Sequence, residues 1–254
     1  MFRTLKIWLN QGKQYIPDVT TAEVPGIFRG RPVISKKKVA GEELLAELCP
    51  TRAIGEAPFS IDIGKCTFCG ECALASPEKI SFTKDYRLSA VSREDLIIRE
   101  GEERLLIPDP AKIRKEIRKV FRNSLKLRQV SAAGDNSCEW ELNAAGNVNF
   151  DIGRFGIEFV ASPRHADGIV ITGPVSENMA EPLQICYDAI PKPKIVILAG
   201  TDAISGGIFA GSQALDRSFL EKKHVDLYIA GNPVHPLTFI NGVLGLTRGR
   251  NSKI

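Results

Sequence analysis

Four of the chain's six cysteines lie between residues 49 and 72, and no other feature of the sequence constrains the fold as tightly. Cys66-Thr67-Phe68-Cys69-Gly70-Glu71-Cys72 is a C-x2-C-x2-C run, while Cys49 stands apart and is followed at once by Pro50. The first nine residues are basic and apolar but lead into neither a long apolar stretch nor a small-residue cleavage site, so the chain reads as mature and cytoplasmic. Thiols crowded together in such a chain read as ligands before they read as disulfides.

The C-x2-C-x2-C-x3-C-P run of bacterial ferredoxins is wired crosswise, its last cysteine serving the other cluster of a pair. A cubane needs four thiolates, so the trio at Cys66, Cys69 and Cys72 must take its fourth from the Cys-Pro of a preceding copy, which is Cys49. The rest of the doubled motif is gone. Val39, Glu42 and Leu45 fill the three spaced positions before Cys49, and Ser76, still followed by Pro77, stands where a fourth cysteine would follow Cys72. All four ligands of one cluster are lost and all four of the other are kept, a coherence that random decay rarely leaves. Structural zinc also accepts CxxC pairs, but three cysteines at successive x2 spacing with a remote Cys-Pro fit a cubane better. The expectation is one 4Fe-4S cluster on Cys49, Cys66, Cys69 and Cys72.

At 254 residues, 43% apolar and 25% charged, the chain has the composition of a soluble protein with a sizeable core. Its net charge of +4 is mild and its bases concentrate in residues 112–128, which argues against a general nucleic-acid binder. The longest apolar runs are a handful of residues, against the roughly 20 that cross a bilayer. Residues 1–35 read as an irregular lead-in, broken by Pro17, Pro25, Gly26, Gly30 and Pro32. Residues 36–90 alternate short strands (59–63, 79–83) with short helices (41–48, 69–75), a small α+β unit. Residues 91–110 read as a charged connector closing at Pro108-Asp109-Pro110.

Beyond it, residues 111–122 space Ile113, Ile117, Val120 and Phe121 helically, and apolar strands are expected at 125–130, 157–161, 168–172, 194–198 and 226–229. Helices at 177–189 and 213–222 separate some of these, which predicts a parallel sheet in an open α/β fold. Its loops at 134–138, 173–174, 200–207 and 231–233 would gather at one edge, where such proteins place their sites. The glycine-rich 200–207 loop lacks a Walker lysine and G-x-G-x-x-G spacing, so it is a poor nucleotide cradle. No Ser/His/Asp or Cys/His nucleophile arrangement is present.

Phe28-Arg29-Gly30-Arg31-Pro32, Cys49-Pro50-Thr51-Arg52-Ala53-Ile54 and the Cys66 run resemble the ferredoxin-type subunit of formate hydrogenlyase, membrane-bound NiFe hydrogenases and respiratory complex I. Ser162-Pro163-Arg164-His165-Ala166-Asp167, Thr172-Gly173-Pro174-Val175, Asn178-Met179-Ala180-Glu181-Pro182 and Ala189-Ile190-Pro191-Lys192-Pro193-Lys194 are similar to the small, proximal-cluster subunit (complex I 20 kDa-like) of the same complexes. The resemblance implies a fusion: a ferredoxin-like 4Fe-4S domain with an extended lead-in over residues 1–107, then a flavodoxin-like α/β domain over residues 108–254.

It further implies an electron-transfer and scaffold subunit without its own substrate site. That subunit would dock a hydrogenase-like large subunit at the inner face of the membrane, with no transmembrane segment. In the small subunit four cysteines on the sheet-edge loops hold a proximal cluster. Here those places are met by Asp135, Cys138, Asp202 and Asn232, and one thiolate, two carboxylates and an amide do not suit iron-sulfur chemistry. The proximal site is therefore expected to be empty. A harder mononuclear cation is the sharper alternative, and polar residues filling a vacated pocket is the preferred one. For the whole chain the alternatives are a non-redox structural subunit and a subunit of an active hydrogenase whose electrons take another route.

Overall fold

The computed structural model describes residues 2–12 and 14–249. Its strands are β1 (Pro32–Ile34), β2 (Ile54–Glu56), β3 (Phe59–Asp62), β4 (Ile80–Phe82), β5 (Ser89–Ala90), β6 (Ile97–Arg99), β7 (Leu125–Ser131), β8 (Ile157–Phe159), β9 (Gly168–Thr172), β10 (Ile195–Ala199) and β11 (Leu227–Ile229). The helices are α1 (Phe2–Gln11), α2 (Leu44–Leu48), α3 (Glu71–Ala75), α4 (Lys115–Val120), α5 (Ser137–Ala144), α6 (Glu177–Ala189), α7 (Thr201–Ser205), α8 (Ser218–Lys222) and α9 (Pro236–Thr247).

A six-stranded sheet in the order β5-β11-β10-β9-β7-β8 forms the larger core. Neighbours from β8 through β11 run parallel, and β5 closes the far edge antiparallel to β11. All five residues of β9 and all five of β10 are buried, as continuous apolar strands with cover on both faces must be. Ten of the twelve residues of α9 are also buried. A helix apolar on every side is stable only inside a protein, and the Nδ1 of His235 accepts the Leu237 amide at 3.2 Å to start it.

Two small antiparallel sheets, β1-β4 and β2-β3-β6, carry the N-terminal half. Two stretches differ from the sequence reading. The lead-in contains the ten-residue α1, because its first proline is Pro17 and nothing before that forbids a helix. The connector at 91–110 holds a 3-10 turn, Arg93–Leu96, and β6, whose Ile98 faces Ile61 in register and is buried. The helices expected at 111–122 and 213–222 shorten to α4 and α8. β5 precedes residue 108 in sequence yet belongs to the large sheet, so that sheet takes one strand from the N-terminal half and five from the C-terminal half.

Among the described residues, Lys79 is the largest fully buried side chain. Its ammonium sits 2.5 Å from the Glu100 carboxylate and 3.0 Å from that of Glu42, and lies over the Phe59 ring. Burial alone would depress this ammonium, but the two carboxylates hold it above the usual lysine value. Breaking a buried pair costs about 3–5 kcal/mol because a charge is left uncompensated. Lys79→Ala is therefore expected to destabilise the chain by about 3 kcal/mol, the low end since Glu42 and Glu100 keep some solvent. The check is the midpoint of urea unfolding.

Candidate functional site

The Cys66 run is a loop wound tightly enough to aim several sulfurs one way. Asp62, at the end of β3, accepts the Gly64 amide on its carboxylate at 2.9 Å and the Cys66 amide on its carbonyl at 3.0 Å. Arg93 grips the same carboxylate through two bonds of 2.8 and 2.6 Å. Phe68 then takes φ +56 and Gly70 φ +85, left-handed turns that a bulky residue like Phe68 adopts only under constraint. Arg29 supplies part of that constraint by donating to the Phe68 carbonyl at 3.2 Å. A Cβ on Gly70 would come within 2.7 Å of the Arg29 Nε, so glycine is required twice over there. α3 follows, with Cys72 in its first turn.

Cys49 arrives from the other segment as the C-terminal cap of α2. Together with Cys66, Cys69 and Cys72 it lines one small cavity, floored by Ala53, Ile54, Ile61 and Phe82. The Ala53 amide donates to the Cys49 sulfur at 3.3 Å, and the Phe68 amide donates to the Cys66 sulfur at 3.3 Å. Cys66 is buried, Cys49 and Cys72 are half-buried and Cys69 is exposed. Burial pushes the Cys66 thiol up to about 12, with Cys72, Cys49 and Cys69 adding to the rise. Cys72 is pushed up to about 11, by burial and then by Cys69 and Cys49. Such thiols surrender their protons only to a strong positive centre. Among the described residues no three His, Cys, Asp or Glu side chains converge as a single metal ion requires.

The second constellation lies at the carboxyl ends of the parallel strands. Cys138, in the first turn of α5, is buried against Gly200, where a Cβ would meet its sulfur at 2.6 Å. Burial raises its thiol to about 12, helped by the charges of Glu139, Asp202 and Asp135. Asp202 in α7 is raised by burial and then by Asp135, with Arg217 pulling the other way. Asp135 is exposed and held low by the Ser137 hydroxyl and amide, at 2.6 and 2.9 Å. Asn232 follows Gly231, whose carbonyl accepts the Thr201 amide at 2.9 Å. Asp135, Cys138 and Asp202 thus share one electrostatic field, while Asn232 reaches the same edge through its loop.

Four residues that sequence reasoning passed over organise these sites. The buried Thr201 hydroxyl donates to the Cys66 carbonyl at 2.8 Å, tying the Cys66 loop to the sheet edge. Arg217 donates to the carbonyls of Ala203 and Ile204 at 2.8 and 3.0 Å, holding α7. The buried Glu139 carboxylate accepts the Thr172 hydroxyl at 2.6 Å, and Arg29 braces the Phe68 turn. Arg29 and Thr201 sit inside motifs that were visible in sequence, but Arg217 and Glu139 carry no local signal. A cavity of about 310 Å³ lies where these parts meet, lined by Phe28, Phe68, Glu141, Asn232 and His235 among others. Burial raises Glu141 and lowers His235.

A family described as "NADH ubiquinone oxidoreductase, 20 Kd subunit" matches residues 136–246. An NADH-quinone oxidoreductase subunit of Clostridium beijerinckii is 43% identical over 110 residues, which are 43% of this chain and 65% of that protein. The "Probable membrane-bound hydrogenase subunit mbhJ" of Pyrococcus furiosus is 35% identical over 115 residues, 45% of this chain and 69% of that one. A chain of the archaeal membrane-bound sulfane sulfur reductase, a respiratory membrane complex, aligns with 30% identity and a TM-score of 0.43, covering 49% of this chain and 69% of that chain. The chain thus spans about two thirds of the length of the relatives it matches. The family match begins beyond the Cys49 and Cys66 segments.

Thr201→Val removes the donor to a buried carbonyl and is expected to cost about 1–3 kcal/mol in thermal or urea unfolding. Asp202→Asn has the opposite sign. A carboxyl raised in the folded state contributes stability that is present at low pH and lost as pH rises through its folded value. The Asn variant should therefore be more stable than the parent at pH 7, with the advantage vanishing on acidification, as a melting series against pH would read.

Proposed function

The chain belongs to the family of the 20 Kd subunit of NADH ubiquinone oxidoreductase, and on that premise we propose that it is an iron-sulfur electron-transfer and scaffold subunit of a membrane-associated, hydrogenase-related or complex I-like oxidoreductase. The relatives are subunits of oxidoreductase and membrane-bound assemblies. The observation that carries the electron-transfer reading is the single cavity lined by Cys49, Cys66, Cys69 and Cys72. Their donor set is all thiol, which is what a 4Fe-4S cluster demands. The two amide-to-sulfur bonds at Cys49 and Cys66 are of the kind that tune such a site.

When bound there, a 4Fe-4S cluster supplies one-electron chemistry. The protein's own contribution is positional. Cys66 and Cys72 keep the site partly dry, Cys69 opens it to solvent or a partner, and Arg29 with Asp62–Arg93 fixes the loop.

The residues 1–107 are proposed to be a ferredoxin-like domain fused to a flavodoxin-like domain over residues 108–254. The sheet-edge set of Asp135, Cys138, Asp202 and Asn232 does not fit an iron-sulfur cluster, since one thiol and two carboxylates cannot replace four thiolates. The relay toward a hydrogenase-like large subunit would therefore have a gap. That gap favours a second reading, a structural subunit in which the cluster only holds the fold. Among the described residues no helix is long and apolar enough to cross a membrane, and attachment at the inner face through partner subunits is part of the proposal.

Anaerobically purified chain should contain about four irons and four labile sulfides, and Cys49→Ser or Cys66→Ser should lose most of both. Dithionite reduction should produce an EPR signal. Stoichiometric zinc without sulfide would sink the cluster, and a cluster that cannot be cycled would leave the structural reading.

A further inference from the structure

Among the described residues, the helix α1 is the one long element that contributes nothing to either core. None of its ten residues is buried. At about 100° per residue, Phe2, Leu5, Trp8 and Leu9 fall within one arc of about 120°. Those four side chains are 87, 52, 67 and 63% exposed. Arg3, Lys6, Asn10 and Gln11 occupy the other side, with Ile7 among them. A stripe of large apolar residues left bare on a folded chain calls for an occupant.

The charge of the segment selects the occupant. Residues 1–17 contain Arg3, Lys6 and Lys13 and no Asp or Glu; the first acid is Asp18. That contrasts with the chain as a whole, which carries 34 bases against 30 acids. An acid-free basic helix with Phe, Trp and Leu on one face and little net hydrophobicity has the make-up of an interfacial helix, which sinks its apolar side to the headgroup boundary and leaves its bases at the phosphates. Trp8 is of the type that settles at that boundary.

The chain beyond α1 is tied down where such an anchor would need it. The Ile16 amide donates to the Asn149 carbonyl at 2.8 Å, and the Val19 carbonyl accepts Tyr86 Oη at 2.9 Å and Asn241 Nδ2 at 2.8 Å. Val19 is fully buried. Force on α1 is thereby passed to the core holding α5 and α9 within a few residues.

We propose that α1 lies flat on an anionic lipid bilayer and anchors the chain there through Phe2, Leu5, Trp8 and Leu9. This deepens the membrane association proposed above and rests on that reading for its setting, though not on the cluster. Full-length chain carrying Trp140→Phe, which leaves Trp8 as the sole tryptophan, is titrated with phosphatidylcholine vesicles containing roughly one quarter phosphatidylglycerol. The expected result is a blue shift of Trp8 emission and co-sedimentation, weakened at least about ten-fold in pure phosphatidylcholine or by Arg3→Glu with Lys6→Glu.

Leu5→Glu with Leu9→Glu should abolish binding while circular dichroism and the iron count stay unchanged, since neither residue is buried. Absence of binding to anionic vesicles at low salt would overturn the proposal. So would binding that survives the Leu5 and Leu9 changes, or protection of Trp8 by a soluble partner protein alone. Each of these outcomes leaves the iron and sulfide measurement, and the function read from it, standing.

Discussion

A thiol site assembled from two chain segments holds only if each segment is pinned by something other than its sulfurs. In this chain the pinning is done by backbone geometry and by charge. Cys49 is fixed as the C-terminal cap of α2, and the Cys66 loop hangs from Asp62, whose carboxylate and carbonyl take two amides before Arg93 closes on it. The left-handed turn at Phe68 is held by the Arg29 bond to its carbonyl, and the one at Gly70 is tolerated because glycine has no Cβ. Ordering a loop of this kind has an entropic cost at every residue. Charge-assisted bonds, about twice as strong as neutral ones, are an effective way to offset it.

Two of the thiols gathered there, Cys66 and Cys72, are held against ionisation first by burial and then by the sulfurs beside them. Burial and the neighbouring sulfurs lift Cys66 to about 12 and Cys72 to about 11. A pocket that opposes the negative charge of Cys66 and Cys72 in the absence of a cation favours occupants of high positive charge, since such a centre strips the protons. The sheet edge follows the same rule with a different outcome. Cys138 is as strongly raised as Cys66, but its companions are Asp135, Glu139 and Asp202, which already oppose one another. Arg217 offsets part of that repulsion, and the Thr172 hydroxyl offsets part at Glu139.

What could be read from the sequence was what is periodic or fixed in spacing. The apolar runs at 125–130, 168–172 and 194–198 fall on β7, β9 and β10, because a strand covered on both faces has to be continuously apolar. The structure places Cys49, Cys66, Cys69 and Cys72 around one cavity, with turns that depend on Arg29, Asp62 and Arg93 as well as on the spacing. Elements whose existence depends on tertiary partners were illegible. α9 has no polar face to give it a period, and β6 is three residues that become a strand only against β3. Arg217 and Glu139 belong to the same class, as their roles come from carbonyls and hydroxyls distant in sequence. α1 is a different case: the breakers of the lead-in, Pro17, Pro25, Gly26, Gly30 and Pro32, all follow it, and the helix itself contains no proline or glycine.

The two halves of the chain are joined at more than a peptide bond, and the joints coincide with the chemistry. β5 leaves the N-terminal half to complete the edge of the large sheet beside β11. The strand it joins is the one whose end carries Gly231 and Asn232. Thr201, at the start of α7, bonds both the Cys66 carbonyl and the Gly231 carbonyl, at 2.8 and 3.2 Å, from a fully buried position. Displacing the Cys66 loop from α7 would leave its buried carbonyl without that donor, whereas the Gly231 carbonyl keeps the Thr201 amide at 2.9 Å. The Cys66 loop and the carboxyl edge of the large sheet are thus linked through one buried side chain.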